Sequence, residues 1–417
     1  MIEPPTRNLA RIHPFRNLLV SRAEGCWYFD AEGQRHLDLL AGCWSTVLGH
    51  NHPEFTESMR RQVGRLTHLG TGLLSAEVLD GAAELLSTVR SITGSDQTVG
   101  YKVAFLNTGS EAVDLAVKFA KAATGRREIV SLERGYYGAG TATYYLSGLP
   151  KKDFMGVPAG CYKLLGPDCA RCPVGMRFPG CDYACVAVSE QLLDASSAGD
   201  VAAILFEPVA AAGGMLFPPP GYLRRLAELA RRRGALLIAD EVSTGGGRTA
   251  RWFACEHEDV APDVIAFGKA FGNGLPVSGV LLRDGLEEAA YSRGLTHIQS
   301  HQSDPLGAFA VATVIGLIRR DGLLDRVSSV GRLLLERLAE ISRATGAIED
   351  VRGLGLMTAF SATSAEAGES LHRVLTAERV VVGYQPSFAT FQLMPAYTLS
   401  EEEIDHFCRA LSLAARG

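Results

Sequence analysis

Two stretches, Ala235-Leu-Leu-Ile-Ala-Asp-Glu241 and Asp263-Val-Ile-Ala-Phe-Gly-Lys269, decide how this chain is read. Each is a short apolar run that ends in a charged residue. Read as buried strands, they deliver Asp240 and Lys269, an acid and an amine, to one edge of a sheet. Taken alone, Lys269 is an ordinary surface lysine after a core strand, and its neighbours change that reading.

Outward from these runs, residues 100–285 alternate strands with helices. Residues 102–106, Glu128–Leu132, Ala202–Phe206 and Ser278–Leu282 read as further strands. Ala112–Thr124 is a helix with Ala112, Val113, Ala116, Val117 and Ala120 on one stripe and Gly125 as its stop. Residues 220–233 form a second helix. The alternation predicts an α/β fold: a mostly parallel central sheet with helices on both faces. Ligands of such sheets sit beyond the carboxyl ends of the strands. Thr108, Tyr136, Glu207, Asp240 and Lys269 all fall at or just after such ends.

This convergence has a chemistry. A lysine there is placed to form a Schiff base with an aldehyde cofactor, and an aspartate beside it to hold a pyridinium nitrogen. Asn107-Thr-Gly-Ser-Glu111 joins a strand to a helix N-terminus, a natural phosphate site, although Ser110 also reads as a plain N-cap. Tyr136 and Tyr137, set between glycines, read either as a stacking surface for a flat ring or as loop packing.

The 417 residues allow two or three domains, and 21% charged with 47% hydrophobic residues is an ordinary globular balance. A net charge of −5 speaks against a basic nucleic-acid-binding face. Only 7 of the 41 basic residues are lysine, so each lysine can be weighed singly. The opening Met1–Asn8 lacks a signal pattern, and no apolar run reaches membrane-spanning length, so a cytoplasmic protein is expected. Five of the nine cysteines lie in an excursion at 150–187, and four of them, Cys169, Cys172, Cys181 and Cys185, are closely spaced after Cys161. Their spacing fits a zinc knuckle, or free or paired thiols. His50 and His52, in an irregular loop after strands at 25–40, lack a third ligand nearby and read as structural. Helices are expected at 53–66 and 75–90. Beyond residue 290 the pattern changes. Helices are expected at 305–320 and 322–344, strands near 351–357 and 390–395, and a final helix capped by Ser400 with Glu403. The expected layout is an N-terminal segment (1–50) packing with the small domain, a large α/β domain (51–290), and a small α+β domain (291–417).

Asn107-Thr-Gly-Ser-Glu-Ala112, Asp240-Glu-Val-x-Thr-Gly-x-Gly-Arg-Thr249, the Lys269 strand, Ser303-Asp-Pro-Leu306 and Val351-Arg-Gly-Leu-Gly355 together resemble the class III aminotransferases. These are pyridoxal 5′-phosphate (PLP) enzymes of fold type I, and the match runs from about residue 15 to 412. His301-x-Ser-Asp-Pro-Leu306 and Thr398–Asp405 look most like the dialkylglycine decarboxylase branch. The resemblance implies that Lys269 forms the internal aldimine and moves a proton, and that Asp240 keeps the pyridine nitrogen protonated. It implies that Thr108, Gly109 and Ser110 meet the phosphate, that Tyr136 and Val242 sandwich the ring, and that Glu207 and Ser243 lie beside the cofactor. Ser300 would reach the phosphate of a neighbouring subunit, which implies a homodimer with shared sites.

The departures fall around the substrate. Gln392 stands where many relatives have a carboxylate-binding arginine, and an amide suits a carboxylate less well than a guanidinium fork. Cys43, followed by Trp44, replaces a glutamine of the decarboxylases. Ser243 replaces the usual glutamine, and Tyr137 a histidine. Cys43, Trp44, Thr71, Tyr137 and Gln392 form the expected substrate pocket. The expected activity is transamination of an unusual amine or amino acid. The alternative is a PLP-dependent decarboxylase, lyase or carbon–carbon bond-forming enzyme that also works through a quinonoid carbanion.

Overall fold

A computed structural model describes residues 8–10, 12, 13, 15, 16, 18–89, 92, 100–148, 156 and 158–416. The opening residues of the 1–50 segment, Arg90 at the end of the expected helix 75–90, and 150–155 and 157 of the excursion lie outside them.

Among the described residues, three sheets organise the chain. The first takes β1 (Val20–Glu24), β2 (Trp27–Asp30) and β3 (Arg35–Asp38). The central sheet is built from β4 (Tyr101–Leu106), β5 (Glu128–Leu132), β6 (Cys161–Leu164), β7 (Val201–Phe206), β8 (Leu236–Asp240), β9 (Val264–Phe267) and β10 (Ser278–Arg283). The remaining strands are β11 (Ile348–Leu354), β12 (Met357–Ala362), β13 (Val380–Val381), β14 (Gly383–Gln385) and β15 (Thr390–Leu393). Of these, β13 completes the first sheet beside β3, and the others form a four-stranded sheet ordered β11-β12-β15-β14.

The central sheet runs β4-β10-β9-β8-β7-β5-β6. β10 is antiparallel to both of its neighbours, while the pairs from β9 to β6 are all parallel. The apolar runs of the sequence are apolar because both faces are covered. In β7, Leu205 packs in one core with Val113 and Ala116 of helix Gly109–Thr124. Its neighbours Ile204 and Phe206 pack in another with Leu223 and Leu226 of helix Tyr222–Arg232.

The cysteine-rich stretch is not wholly an excursion from this sheet. Its residues Cys161–Leu164 form the edge strand β6, parallel to β5. The run is short and interrupted by Lys163, whose ammonium donates to Ser131 Oγ at 2.7 Å, so it lacks the unbroken apolar signature of its neighbours.

Residues from both ends of the chain share one core. Leu37, Leu39 and Val47 pack with Leu334, Phe360, Phe391 and Phe407. Trp27 Nε1 also donates to Glu403 Oε1 at 2.7 Å, tying the first sheet to the final helix, Glu401–Ala414. That helix has the expected capping box between Ser400 and Glu403. Among the described residues, no helix is long and apolar enough to cross a membrane.

Candidate active site

β8 and β9 are parallel neighbours, with Asp240 opposite Ala266. The acid and the amine therefore leave the sheet side by side. Lys269 has φ 45°, a left-handed conformation that a side-chain-bearing residue rarely adopts and that clusters at functional sites. Its Nζ donates to Ser243 Oγ at 2.7 Å and lies 4.7 Å from the centroid of the Trp44 ring. Burial pushes the Lys269 ammonium below the usual lysine range, with Asp240 opposing that shift. Burial raises Asp240, whose Oδ1 accepts from Val242 N at 3.0 Å. Burial also raises Glu207, and repulsion from Asp240 adds to it.

The anion end is built by helix Gly109–Thr124. Its N-cap is Thr108, not Ser110. The Thr108 hydroxyl accepts from Glu111 N at 3.2 Å, and the Glu111 carboxylate accepts from Thr108 N at 2.9 Å. The cap occupies Thr108 and leaves Ser110 in the adjoining cavity, its Oγ accepting from Ala139 N at 3.0 Å. First-turn amides have no partner within their own helix and favour an anion. Gly109 permits a close approach here: a Cβ on it would stand 2.7 Å from Val242 Cγ1.

A cavity of ≈ 170 Å³ joins these parts, lined by Gly109, Ser110, Tyr136, Tyr137, Gly138, Asp240, Val242, Ser243 and Lys269. Eight of the nine are residues singled out in the sequence. Gly138 is the addition, and its place in a glycine-flanked pair of tyrosines is the only signal the sequence carries for it; its φ is 127°.

The other candidates are placed differently. Tyr137 lines the cavity, but it is 1% exposed and its hydroxyl turns inward, accepting from Leu132 N and donating to Leu205 O, both at 3.3 Å. Glu207 lies behind the cavity, accepting from Tyr136 N at 2.7 Å and Ala211 N at 3.3 Å. Cys43 is exposed beside Trp44. Their loop is held by the Asp38 carboxylate, which accepts from Leu40 N and Gly42 N and pairs with His50 Nε2 at 2.9 Å. His52 caps helix Pro53–Val63. Gln392 is buried and its amide faces Ala211 rather than open space. Thr71 and Ser300 are exposed and do not line the cavity; Thr71 Oγ1 donates to Gln299 O at 3.1 Å, which brings the two segments together.

The four clustered cysteines are free thiols, and no three of their sulfurs lie within 4.8 Å of one another. The zinc reading therefore has no converged ligand set behind it. Among the described residues, that convergence occurs at His68, His301 and Asp304, where one carboxylate bridges two exposed imidazoles.

Residues 10–415 match the family model described as Aminotransferase class-III. The chain belongs to this family. Of its relatives, an uncharacterized aminotransferase of Schizosaccharomyces pombe is 30% identical, over 96% of this chain and 92% of the relative. The 5-aminovalerate aminotransferase DavT of Pseudomonas putida is 34% identical, over 85% of this chain and 80% of its own length. The crystal structure of an amine transaminase from an uncultivated Pseudomonas species, in a PLP-bound form, superposes with a TM-score of 0.89 at 28% identity, covering 99% and 98% of the two chains. These three are aminotransferases, not decarboxylases. The class-III aminotransferase described here is thus a PLP-dependent transferase of fold type I.

The cavity's residues suit that family's cofactor. They supply an amine, an acid for a ring nitrogen, an exposed aromatic face in Tyr136, an apolar face in Val242, and a helix N-terminus with a serine for a phosphate. What the sequence reading misses lies next door, in residues 211–215. The run Val209-Ala-Ala-Ala-Gly-Gly-Met215 is the available signal, since small residues mark close backbone approach.

Proposed function

We propose that this aminotransferase holds PLP in the Lys269 cavity and moves an amino group from an amine or amino acid. The observation that carries the reading is the Lys269 amine, poised between Ser243 Oγ and the Trp44 ring and next to Asp240. When bound, PLP supplies an aldehyde for the substrate amine and an electron sink. The chain supplies the rest. Burial, which lowers the Lys269 pKa, favours the neutral amine that serves as nucleophile and then as the base that takes and returns the proton at the substrate Cα. Asp240 holds the ring N–H, and that positive charge favours its ionised form against burial. Gly109 and Ser110 meet the phosphate. Tyr136 and Val242 would pack against the bound ring, while Ser243 orients the amine and the Trp44 ring stands beside it.

The working unit in this reading is a homodimer with Ser300 reaching the partner's phosphate. Support comes from the apolar side chains left exposed near Thr71 and Ser300: Leu73, Leu74, Tyr291 and Ile298. The shared core of residues 37–47 with 334–407 supports a small domain that includes the N-terminal segment. Nine unpaired cysteines suit a reducing cytoplasm. The neutral Gln392 supports a donor whose carboxylate, if it has one, is not gripped by a guanidinium at that position.

The test begins with absorbance. Protein mixed with PLP should show a visible band that borohydride removes, and Lys269→Ala should lack it. A wild type without that band would sink the reading. Incubation with amino donors should then convert the cofactor to pyridoxamine phosphate. Release of carbon dioxide or ammonia with the aldehyde form retained would instead support a decarboxylase or lyase.

A further inference from the structure

Behind the cavity, the loop after β7 folds back on itself. Ala210 and Leu216 exchange backbone hydrogen bonds at 3.1 Å, closing a strap of five residues, Ala211–Met215. Every carbonyl of the strap accepts from a side chain. Gln392 Nε2 donates to Ala211 O at 2.6 Å, and Gln385 Nε2 to Ala212 O at 2.7 Å. Arg134 Nε donates to Gly213 O at 3.1 Å. Arg352 donates to Gly214 O at 2.7 Å and to Met215 O at 3.0 Å. Three of the four donors, Gln385, Gln392 and Arg352, come from the C-terminal sheet.

The strap tolerates little change. A Cβ on Gly213 would sit 2.1 Å from Arg134 O, and Met215 has φ 55°. Ala211 is gripped from both sides. Its carbonyl takes the Gln392 amide, while its N–H donates to Glu207 Oε2; the other oxygen of Glu207 holds Tyr136 N. Gln392 therefore bears on Tyr136 and Glu207 without lining the cavity.

We propose that Gln392 is a positioning residue, which with Gln385, Arg134 and Arg352 clamps the strap so that Ala211 fixes Glu207 behind the cavity and, through it, Tyr136 in the cavity's lining. This goes beyond the expectation that Gln392 meets the substrate, and its catalytic half rests on the cofactor reading above. Although the strap is mostly buried, its small residues have few side-chain contacts to restrain them and would otherwise be free to open. The clamp replaces that freedom with side-chain hydrogen bonds to five successive carbonyls, the one from Gln392 buried.

The experiment uses the full-length holoenzyme and two variants. Gln392→Met keeps the volume and removes the donor. Gln385→Leu removes one donor together with an Oε1 that is buried without a partner, so its effect on global stability should be small. In both, hydrogen exchange at the amides of residues 211–215 should rise about tenfold over wild type. kcat should fall about tenfold while KM for the amine stays within about twofold, as for a loss felt in the transition state and not in ground-state binding. Unchanged exchange in both variants would overturn the proposal. So would a raised KM with unchanged kcat in Gln392→Met, the mark of a direct substrate contact. A wild type without the borohydride-sensitive band would remove the cofactor reading but leave the exchange comparison in force. If Gln392→Met fails to fold, Gln385→Leu decides alone.

Discussion

The floor of the cavity and the wall behind it treat polar groups in opposite ways. On the floor, Lys269 has one hydrogen bond, to Ser243, and Asp240 accepts one, from Val242, although burial works against the charge on each. In the wall, Gln392, Gln385, Arg134 and Arg352 are all turned onto backbone carbonyls. A polar group under-served by its surroundings is ready for a ligand, whereas a donor already committed to a backbone carbonyl is holding geometry. The difference divides the site into a part that does chemistry and a part that keeps it in register. Floor substitutions should therefore cost activity far more than stability, wall substitutions should act on turnover through the order of the strap, and substitutions in the helix cap should cost stability alone.

Lys269→Ala should show the largest effect. Loss of both nucleophile and base predicts a fall in turnover of about 10³-fold or more, with the protein still folded. Steady-state rates beside a thermal melt check this; a variant keeping a tenth of wild-type rate would break the division at its strongest point.

Asp240→Asn comes next, with a fall of about 10²-fold, since a neutral amide cannot favour a proton on the ring nitrogen. It also carries a pH signature in the cofactor-free protein. Burial raises Asp240 to about 7, so the folded chain keeps a proton that the unfolded chain has released above the ordinary carboxylate range. Stability then falls as pH rises through that window, and the loss is complete once the folded group ionises. Between roughly pH 5 and pH 7 the melting temperature of cofactor-free Asp240→Asn should decline less than that of wild type. Equal declines would mean that Asp240 is not the buried proton holder.

This division also explains what is legible in the sequence. Apolar runs closed by charged residues are local patterns, so the strands ending at Asp240 and near Lys269, and the helix stop at Gly125, can be read directly. The mostly parallel sheet follows from the alternation. Ser110 resembles a cap because one residue type serves both roles, and only the position of the Glu111 carboxylate separates them. β6 is hidden by its length and by Lys163. The clamp leaves no local trace: its donors are scattered from Arg134 to Gln392, and no spacing along the chain shows that four side chains meet five consecutive carbonyls. Gln392 stands out as a departure from a resemblance, but a single position cannot show which way its amide faces.

Gly109→Ala tests the boundary between floor and support. The added methyl meets Val242 Cγ1 at 2.7 Å, so either Val242 or the helix start must shift. Overpacking of this kind costs about 1–3 kcal/mol. Because both partners line the cavity, PLP affinity should fall as well, by about tenfold. Calorimetry with a fluorescence titration of PLP reads both. A loss of stability with unchanged affinity would place Gly109 in the support alone.

The smallest expected effect compares Thr108 with Ser110, two hydroxyls at the same helix start. Thr108 is tied into the capping box with Glu111, whereas Ser110 opens on the cavity and accepts from Ala139 N. Thr108→Ala removes a cap worth about 1 kcal/mol and should lower the denaturation midpoint while leaving the PLP dissociation constant within about twofold. Ser110→Ala should do the converse, weakening PLP binding several-fold, on the order of one hydrogen bond to a charged group, with the midpoint nearly unchanged. The pair is sensitive because both hydroxyls stand at the start of one helix, on the same short stretch of backbone. If Thr108→Ala weakens PLP as much as Ser110→Ala does, the cap and the phosphate site are one device, and the line between supporting structure and chemistry runs through the side chains of a single turn.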